Sequence, residues 1–162
     1  MVELPRTSRD DLSITKATDA DVPIIQSMVD AAYTNYIDRI GKRPAPMDKD
    51  YHQVIHTHTV LVLREIAKNQ VVGAIVLELD PSSDSVKIDN LVVHPAAQRH
   101  GYGRVLMNCA EDLARSQDCR ALSLYTNVKM YENLGVYSKM GFYETERKHE
   151  DGFDRVGLWN AR

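Results

Sequence analysis

The sequence predicts an α/β fold: a mixed, mostly antiparallel sheet with one parallel strand pair and helices on both faces. Three observations carry this. Apolar runs of strand length alternate with segments of helical period, in the order β-α-α-β-β-β-α-β-α-β-β. Short polar turns join the third to the second strand and the seventh to the sixth, which makes those neighbours antiparallel. The unit Val86–Val93, helix, Ala121–Tyr125 is a βαβ crossover, whose two strands run parallel.

The elements follow in order. Ser13 to Ala17 is the first strand, and Thr18-Asp19-Ala20-Asp21 supplies capping oxygens and early negative charge for a helix. Ile24, Ile25, Met28, Val29 and Ala32 recur at helical spacing, and Tyr33, Tyr36 and Ile37 carry the pattern on to Gly41, so one long helix is expected. Gly41-Lys42-Arg43-Pro44-Ala45-Pro46 cannot continue it, because proline removes donors and restricts the residue before it. A second, short helix fits Asp48 to His56. Val60–Leu63 and Val71–Leu79 form a hairpin through Lys68-Asn69-Gln70, and Asp80 to Ser85 turns the chain into Val86–Val93.

A helix from Arg104 to Ser116 buries Val105, Leu106, Cys109, Ala110 and Leu113 on one face, and Ala121–Tyr125 is the next strand. A last helix, Lys129 to Met140, stops at Gly141. Phe142–Lys148 and Phe153–Trp159 close the chain as a hairpin around Glu150-Asp151-Gly152.

The 162 residues fit one domain, 1–162, with residues 1–11 expected as a flexible N-terminal segment. With 43% hydrophobic and 27% charged residues the composition is that of a soluble globular protein. A formal charge of −3 provides no basic field for nucleic acid, which is not expected as a partner. No apolar stretch is long enough to span a membrane, and the first ten residues lack the apolar region of a signal peptide, so a cytoplasmic, or cytoplasmic and nuclear, protein is expected. Cys109 and Cys119 are too few for a disulfide framework and read as buried thiols. A monomer or homodimer is expected.

The chemistry concentrates at Gln98-Arg99-His100-Gly101-Tyr102-Gly103-Arg104, between a strand and a helix. Two glycines let backbone approach a ligand, and the free N–H groups and positive dipole end of the following helix suit an anion such as a phosphate. About thirty residues on stands Asn133-Leu134-Gly135-Val136-Tyr137-Ser138-Lys139-Met140-Gly141-Phe142, a tyrosine near a helix end before a Gly-Phe that enters a strand.

The two segments, Gln98-x-x-Gly101-x-Gly103 and Tyr137 to Phe142, in these slots of this element order, resemble the GCN5-related N-acetyltransferase (GNAT) superfamily over roughly Leu12 to Trp159. The resemblance implies acetyl-CoA as donor, no metal, and a parallel pair that splays so that the pantetheine arm adds like a strand. It implies that backbone groups of Leu91, Val92 and Val93 meet that arm, that N–H groups near Val92 polarise the thioester carbonyl, and that residues Gln98 to Arg104 hold the diphosphate. Asn133 is the candidate for an amide or phosphate-side group of CoA, with Asn127 as an alternative, since many relatives place this Asn nearer Met130.

Tyr137 lies one helical turn beyond Asn133, on the same face. The resemblance assigns its hydroxyl to protonation of the leaving thiolate. The base is open among three residues: Asp89, which shares a strand face with Lys87 and Leu91, Glu78, and Tyr125. A position that carries glutamate in some relatives falls on or near Lys87. An alkyl amine is only about one part in 2500 neutral at pH 7 and an α-amine about one in seven, so a basic acceptor needs more help.

The resemblance places the acceptor rim on the first helix and the loop after it, which makes Tyr33, Tyr36, Arg39 and the segment Arg43 to Met47 acceptor candidates. His52, His56 and His58 suggest a metal site, but no His-Glu signature completes one. The expected function is direct acetyl transfer to a primary amine, with a small-molecule or α-amine acceptor ahead of a protein lysine or N-terminus. A CoA-binding regulatory module without turnover is the reading from a different class.

Overall fold

A computed structural model describes residues 4–5 and 7–161. Its strands are β1 Leu12–Lys16, β2 Thr59–Glu65, β3 Gln70–Asp80, β4 Ser85–Val93, β5 Ala121–Asn127, β6 Tyr143–Glu150 and β7 Phe153–Ala161. The helices are α1 Val22–Tyr33, α2 Ile37–Ile40, α3 Tyr51–Thr57, α4 Tyr102–Ser116 and α5 Tyr131–Lys139. All the strands join one sheet in the order β1-β2-β3-β4-β5-β7-β6. It is parallel between β4 and β5 and antiparallel elsewhere, the mixed sheet that the sequence predicts, and β7 inserts between β5 and β6.

Alternation along the central strands builds two cores. Leu61, Leu63, Ile75 and Leu77 face α4 with Leu106, Met107 and Ala110, while Val60, Val62, Ala74 and Val76 face α1 and α3 with Ile25, Met28, Val29 and Ile55. A strand covered on both faces is apolar at every position, which is why β2 and β3 read as continuous runs. The outer strand β6, YETERKHE, is polar and mostly exposed, as suits a sheet edge. Cys109 and Cys119 are buried thiols, and burial pushes the Cys109 thiol up to about 12.

Several boundaries differ from the sequence expectation, each for a local reason. The expected long first helix stops at Tyr33, passes through a tight turn at Thr34–Tyr36, and resumes as α2 before ending at Gly41 with φ +91°. The Thr34 hydroxyl donates to the Asp30 carbonyl at 2.5 Å, a back-bond that competes with the helical ladder and bends it. The short second helix starts at Tyr51 rather than Asp48, because Asp50 caps it by accepting the His52 N–H at 3.1 Å. The last helix begins at Tyr131 because Asn127 Oδ1 accepts the Lys129 N–H at 2.9 Å and holds the intervening residues as a turn.

Two irregularities of β4 position the site. Opposite β3, Val76 pairs with Asn90 and Leu77 with Ile88, so Asp89 is an extra residue at a bulge. Opposite β5, pairing runs only from Ser85↔Ala121 to Ile88↔Leu124. Beyond Ile88 the parallel pair is splayed, and the β5-facing edge of β4 is open.

Candidate active site

The first cavity runs along that open edge. About 560 Å³ in volume, it is lined by Leu91, Val92 and Val93 of β4, by Gln98, Arg99, Gly101, Tyr102 and Gly103 of the glycine turn, and by Tyr36, Asn133 and Val136. The His94 N–H donates to the Val72 carbonyl of β3 at 2.8 Å. Strand alternation therefore turns the polar groups of Val92 toward β3 as well, and those of Leu91 and Val93 toward the open edge. Gly101, with φ +77°, caps α4, and Arg99 is also left-handed at φ +69°. A non-glycine residue there is uncommon, and the conformation turns successive N–H groups of the loop and of the first turn of α4 toward one side.

The turn is held from behind. Arg9 donates to the His100 carbonyl at 2.6 Å, lies 5.2 Å from the centre of the Tyr102 ring, and pairs with Asp11 at 2.8 Å. Arg9 thus contacts the turn from within a segment expected to be flexible, while Met1 to Glu3 and Arg6 lie outside the described residues. His100 lines a separate groove with Arg9 and His94 instead of the β4 cleft, and Arg104 is exposed. The cleft mouth is bridged from α2 to α5: Arg39 pairs with Glu132 at 2.5 Å, Tyr36 donates to the same carboxylate at 3.0 Å, and Arg39 lies 4.5 Å from the Tyr131 ring centre.

The second cavity, about 180 Å³, lies between the Pro44-Ala45-Pro46 segment and the β6–β7 hairpin, and its lining includes Lys87, Asp89, Tyr125, Asn127 and Arg155. Lys42 ties its two sides together by donating to the Gly152 carbonyl at 2.6 Å and sitting 4.2 Å from the Phe153 ring centre. Tyr33 and Met130 line both cavities, so the two meet there. Tyr33 is fixed by a chain: its hydroxyl donates to Asn90 Oδ1 at 2.8 Å, Asn90 Nδ2 donates to the Tyr51 hydroxyl at 3.4 Å, and that hydroxyl donates to the Pro46 carbonyl at 2.7 Å. Burial raises both phenols, Tyr51 up to about 12, and the Tyr137 hydroxyl adds to the rise at Tyr33.

The bulge presents Asp89 to the second cavity with its side chain only 8% exposed. His58 Nε2 lies 2.9 Å from Asp89 and 3.3 Å from Glu78, and Lys87 Nζ lies 3.6 Å from Asp89. Two of the three candidate bases, Asp89 and Glu78, are therefore linked through one imidazole. The third, Tyr125, donates to Glu146 at 2.5 Å, a bond that raises its phenol. Gly157 makes room for that ring, since a Cβ there would stand 3.0 Å from Tyr125 Cε1.

Tyr137 is half-buried, and its ring meets Phe142 edge-on at 5.6 Å. Asn133 and Val136 of the same helix line the first cavity, whereas Tyr137 is absent from the lining of either cavity. Burial raises its phenol, so the hydroxyl keeps its proton. Asn127 lies in the second cavity and Asn133 in the first.

The sequence reading missed His58 as a partner of Asp89, and it missed the Tyr33–Asn90–Tyr51 chain. The signal for His58 was register: Thr59 opposes Leu77, which sets His58 beside Glu78, and Glu78 opposes Lys87. His52, also weighed as a ligand, pairs with Asp19 at 3.2 Å. His58, Glu78 and Asp89 bring their ligand-type atoms within 4.8 Å of one another, and the Lys87 ammonium already supplies positive charge beside them.

Comparison with known proteins agrees with this geometry. The acetyltransferase (GNAT) family pattern matches residues 25–142. Among solved structures, a GNAT family acetyltransferase from Elizabethkingia anophelis with acetyl-CoA bound is 19% identical, with a TM-score of 0.69 over 95% of this chain and 100% of that one. The spermidine N-acetyltransferase from Vibrio cholerae in complex with CoA and spermine is 16% identical, with a TM-score of 0.68 over 94% and 96%. The ribosomal-protein-S18-alanine N-acetyltransferase from Escherichia coli is 16% identical, with a TM-score of 0.68 over 93% of each chain. At these identities the likeness is one of fold. The comparison with curated proteins gives no match. No helix among the described residues is long and apolar enough to cross a membrane. With more than two thirds of its length matched, the chain belongs to the acetyltransferase (GNAT) family.

Proposed function

We propose that the protein acts as a single domain to move the acetyl group of acetyl-CoA directly to a primary amine, with a small-molecule or α-amine as acceptor. The observation that carries this is the meeting of the two cavities at Tyr33 and Met130, one floored by an open strand edge and the other holding a shielded carboxylate. The residues present suit the donor. Leu91 and Val93 offer unpaired N–H and C=O groups to an amide-rich arm, and the glycine turn with the start of α4 offers N–H donors to a diphosphate. Asn133 lines the same cleft and is the side-chain partner for CoA.

Bound there, acetyl-CoA supplies an activated acetyl thioester. Asp89 accepts the proton that the attacking amine must lose, and His58 and Glu78 carry it outward along a path of rising exposure, with side chains 8%, 20% and 46% exposed. N–H groups of the open β4 edge flanking Val92 stabilise the oxyanion as the amine nitrogen bonds to the acetyl carbon. The carbon–sulfur bond then breaks, and the Tyr137 hydroxyl gives its proton to the departing thiolate. No covalent enzyme intermediate is needed.

The test is release of free thiol from acetyl-CoA across a panel of small amines, peptide N-termini and lysine peptides, with the acetylated product identified by mass spectrometry. Amine-dependent thiol release with an N-acetyl product is the expected result. Tight acetyl-CoA binding without release above background would make the protein a CoA-binding module, and faster transfer to lysine peptides than to every small or α-amine would reverse the acceptor assignment.

A further inference from the structure

We infer that the acceptor carries an anionic group, a carboxylate or a phosphate, at the end remote from its amine. This rests on the N-acetyltransferase reading and specifies the substrate of the same site. The second cavity is lined by four cationic side chains, Lys49, Lys87, Lys148 and Arg155, against two carboxylates, Asp89 and Glu150. Those carboxylates are already shared. Glu150 accepts from both Lys148 at 3.0 Å and Arg155 at 2.5 Å, while Asp89 faces both His58 and Lys87. Among the described residues Lys49 pairs with no carboxylate.

The surplus is positioned as well as counted. Asp89 sits on β4, whereas Lys148 and Arg155 sit on β6 and β7, on the far side of β5 in the sheet. The Lys148 and Lys87 ammonium groups lie 4.1 and 5.7 Å from the centre of the Tyr125 ring on β5, and Lys87 lies 3.6 Å from Asp89, so the cationic end of the cavity stands within a small molecule's span of that carboxylate. An acceptor with its amine at Asp89 therefore brings its other end to Lys148 and Arg155. A carboxylate or phosphate there gains charge-assisted hydrogen bonds, and a second ammonium meets like charge. The same cations disfavour a protonated amine inside the cavity, which eases the deprotonation that a basic acceptor requires.

The experiment compares acceptors of matched length and similar amine basicity: γ-aminobutyrate, its neutral amide, and diaminobutane, with phosphoethanolamine as the phosphate arm. At one pH, kcat/KM for γ-aminobutyrate or phosphoethanolamine is expected to exceed that of the amide by about tenfold or more, with diaminobutane lowest. Which anionic arm leads identifies carboxylate or phosphate. Lys148→Met is expected to compress the ratio of γ-aminobutyrate to its amide toward one, mainly through KM, and if that variant does not fold the wild-type series decides alone. Equal or faster transfer to the amide or the diamine would overturn the inference while leaving the acetyltransferase reading intact. Absence of transfer to every amine, with acetyl-CoA still bound, would overturn both.

Discussion

The two cavities that meet at Tyr33 are made of different material. The proposed donor cleft is mostly backbone: an unpaired strand edge at Leu91 and Val93, a left-handed turn at Arg99 and Gly101, and the start of α4. The proposed acceptor cavity is mostly side chain, drawn from the loop after α2, from β4 and β5, and from the β6–β7 hairpin. Backbone recognition depends on geometry and tolerates change in the side chains along it, whereas side-chain recognition is rewritten by single substitutions. Among solved structures that share this fold, one is named for spermidine and another for a ribosomal-protein alanine.

The sharpest way to break this division is Asp89→Asn. The amide keeps nearly the same shape but cannot take a proton, so kcat is expected to fall on the order of a thousandfold, within the usual range for a general base. Acetyl-CoA affinity, measured by calorimetry, should not move, because Asp89 faces the acceptor cavity and not the donor cleft. A full-rate Asp89→Asn enzyme would remove it from the chemistry, and a large loss of acetyl-CoA affinity would show that the cavities are not independent.

A second test acts on the donor side. A Cβ at Gly103 would meet only Leu91 Cδ2, at 4.0 Å, so Gly103→Ala fits without strain and should bind acetyl-CoA nearly as the wild type does. Gly103→Asp places a carboxylate where the diphosphate is expected, and its dissociation constant should rise by about a hundredfold. Equal affinity in the two folded variants would move the diphosphate elsewhere.

The same division explains what could be read from the sequence. The hairpins, the parallel pair, the glycine turn and the helix bearing Asn133 and Tyr137 are local patterns, whereas the insertion of β7 between β5 and β6 is not, and most of the proposed donor residues stand together in one cleft. The acceptor cavity comes from segments about one hundred residues apart, and Lys49, Lys148, Glu150 and Arg155 look like ordinary surface charge until the hairpin folds over. His58 was visible as a histidine, but its partnership with Asp89 depends on two registers and a bulge that periodicity does not encode. The break in the first helix turned on one threonine hydroxyl, a competition that apolar spacing cannot reveal.

Tyr137 lines neither cavity, but its hydroxyl acts on Tyr33, where the two meet. Tyr137→Phe removes the hydroxyl and keeps the packing on Phe142, so acetyl-CoA binding should persist while kcat falls by about a hundredfold. Because burial raises this phenol, it stays protonated at and above the pH where an ordinary tyrosine ionises, near 10. Loss of wild-type activity through ionisation of this group is therefore expected only above that pH. Unchanged turnover in Tyr137→Phe would make it a packing residue.

The smallest effect tests the roof of the acceptor cavity. The Tyr51 hydroxyl joins the Pro46 carbonyl to Asn90, which in turn positions Tyr33. Tyr51→Phe should cost about 1 kcal/mol of stability by urea unfolding and raise the acceptor KM a few-fold, with acetyl-CoA affinity unchanged. The sign with pH follows from burial: the folded state holds the neutral phenol up to about 12, whereas the unfolded chain releases the proton near its ordinary value of about 10. The contribution is complete below the unfolded value and is lost as pH rises through that window. Tyr51→Phe should therefore lose less stability between neutral and alkaline pH than the wild type, with Tyr33 retaining a dependence of the same sign. A shift in acetyl-CoA affinity with no change in acceptor KM would place this chain on the donor side and dissolve the distinction between the two cavities.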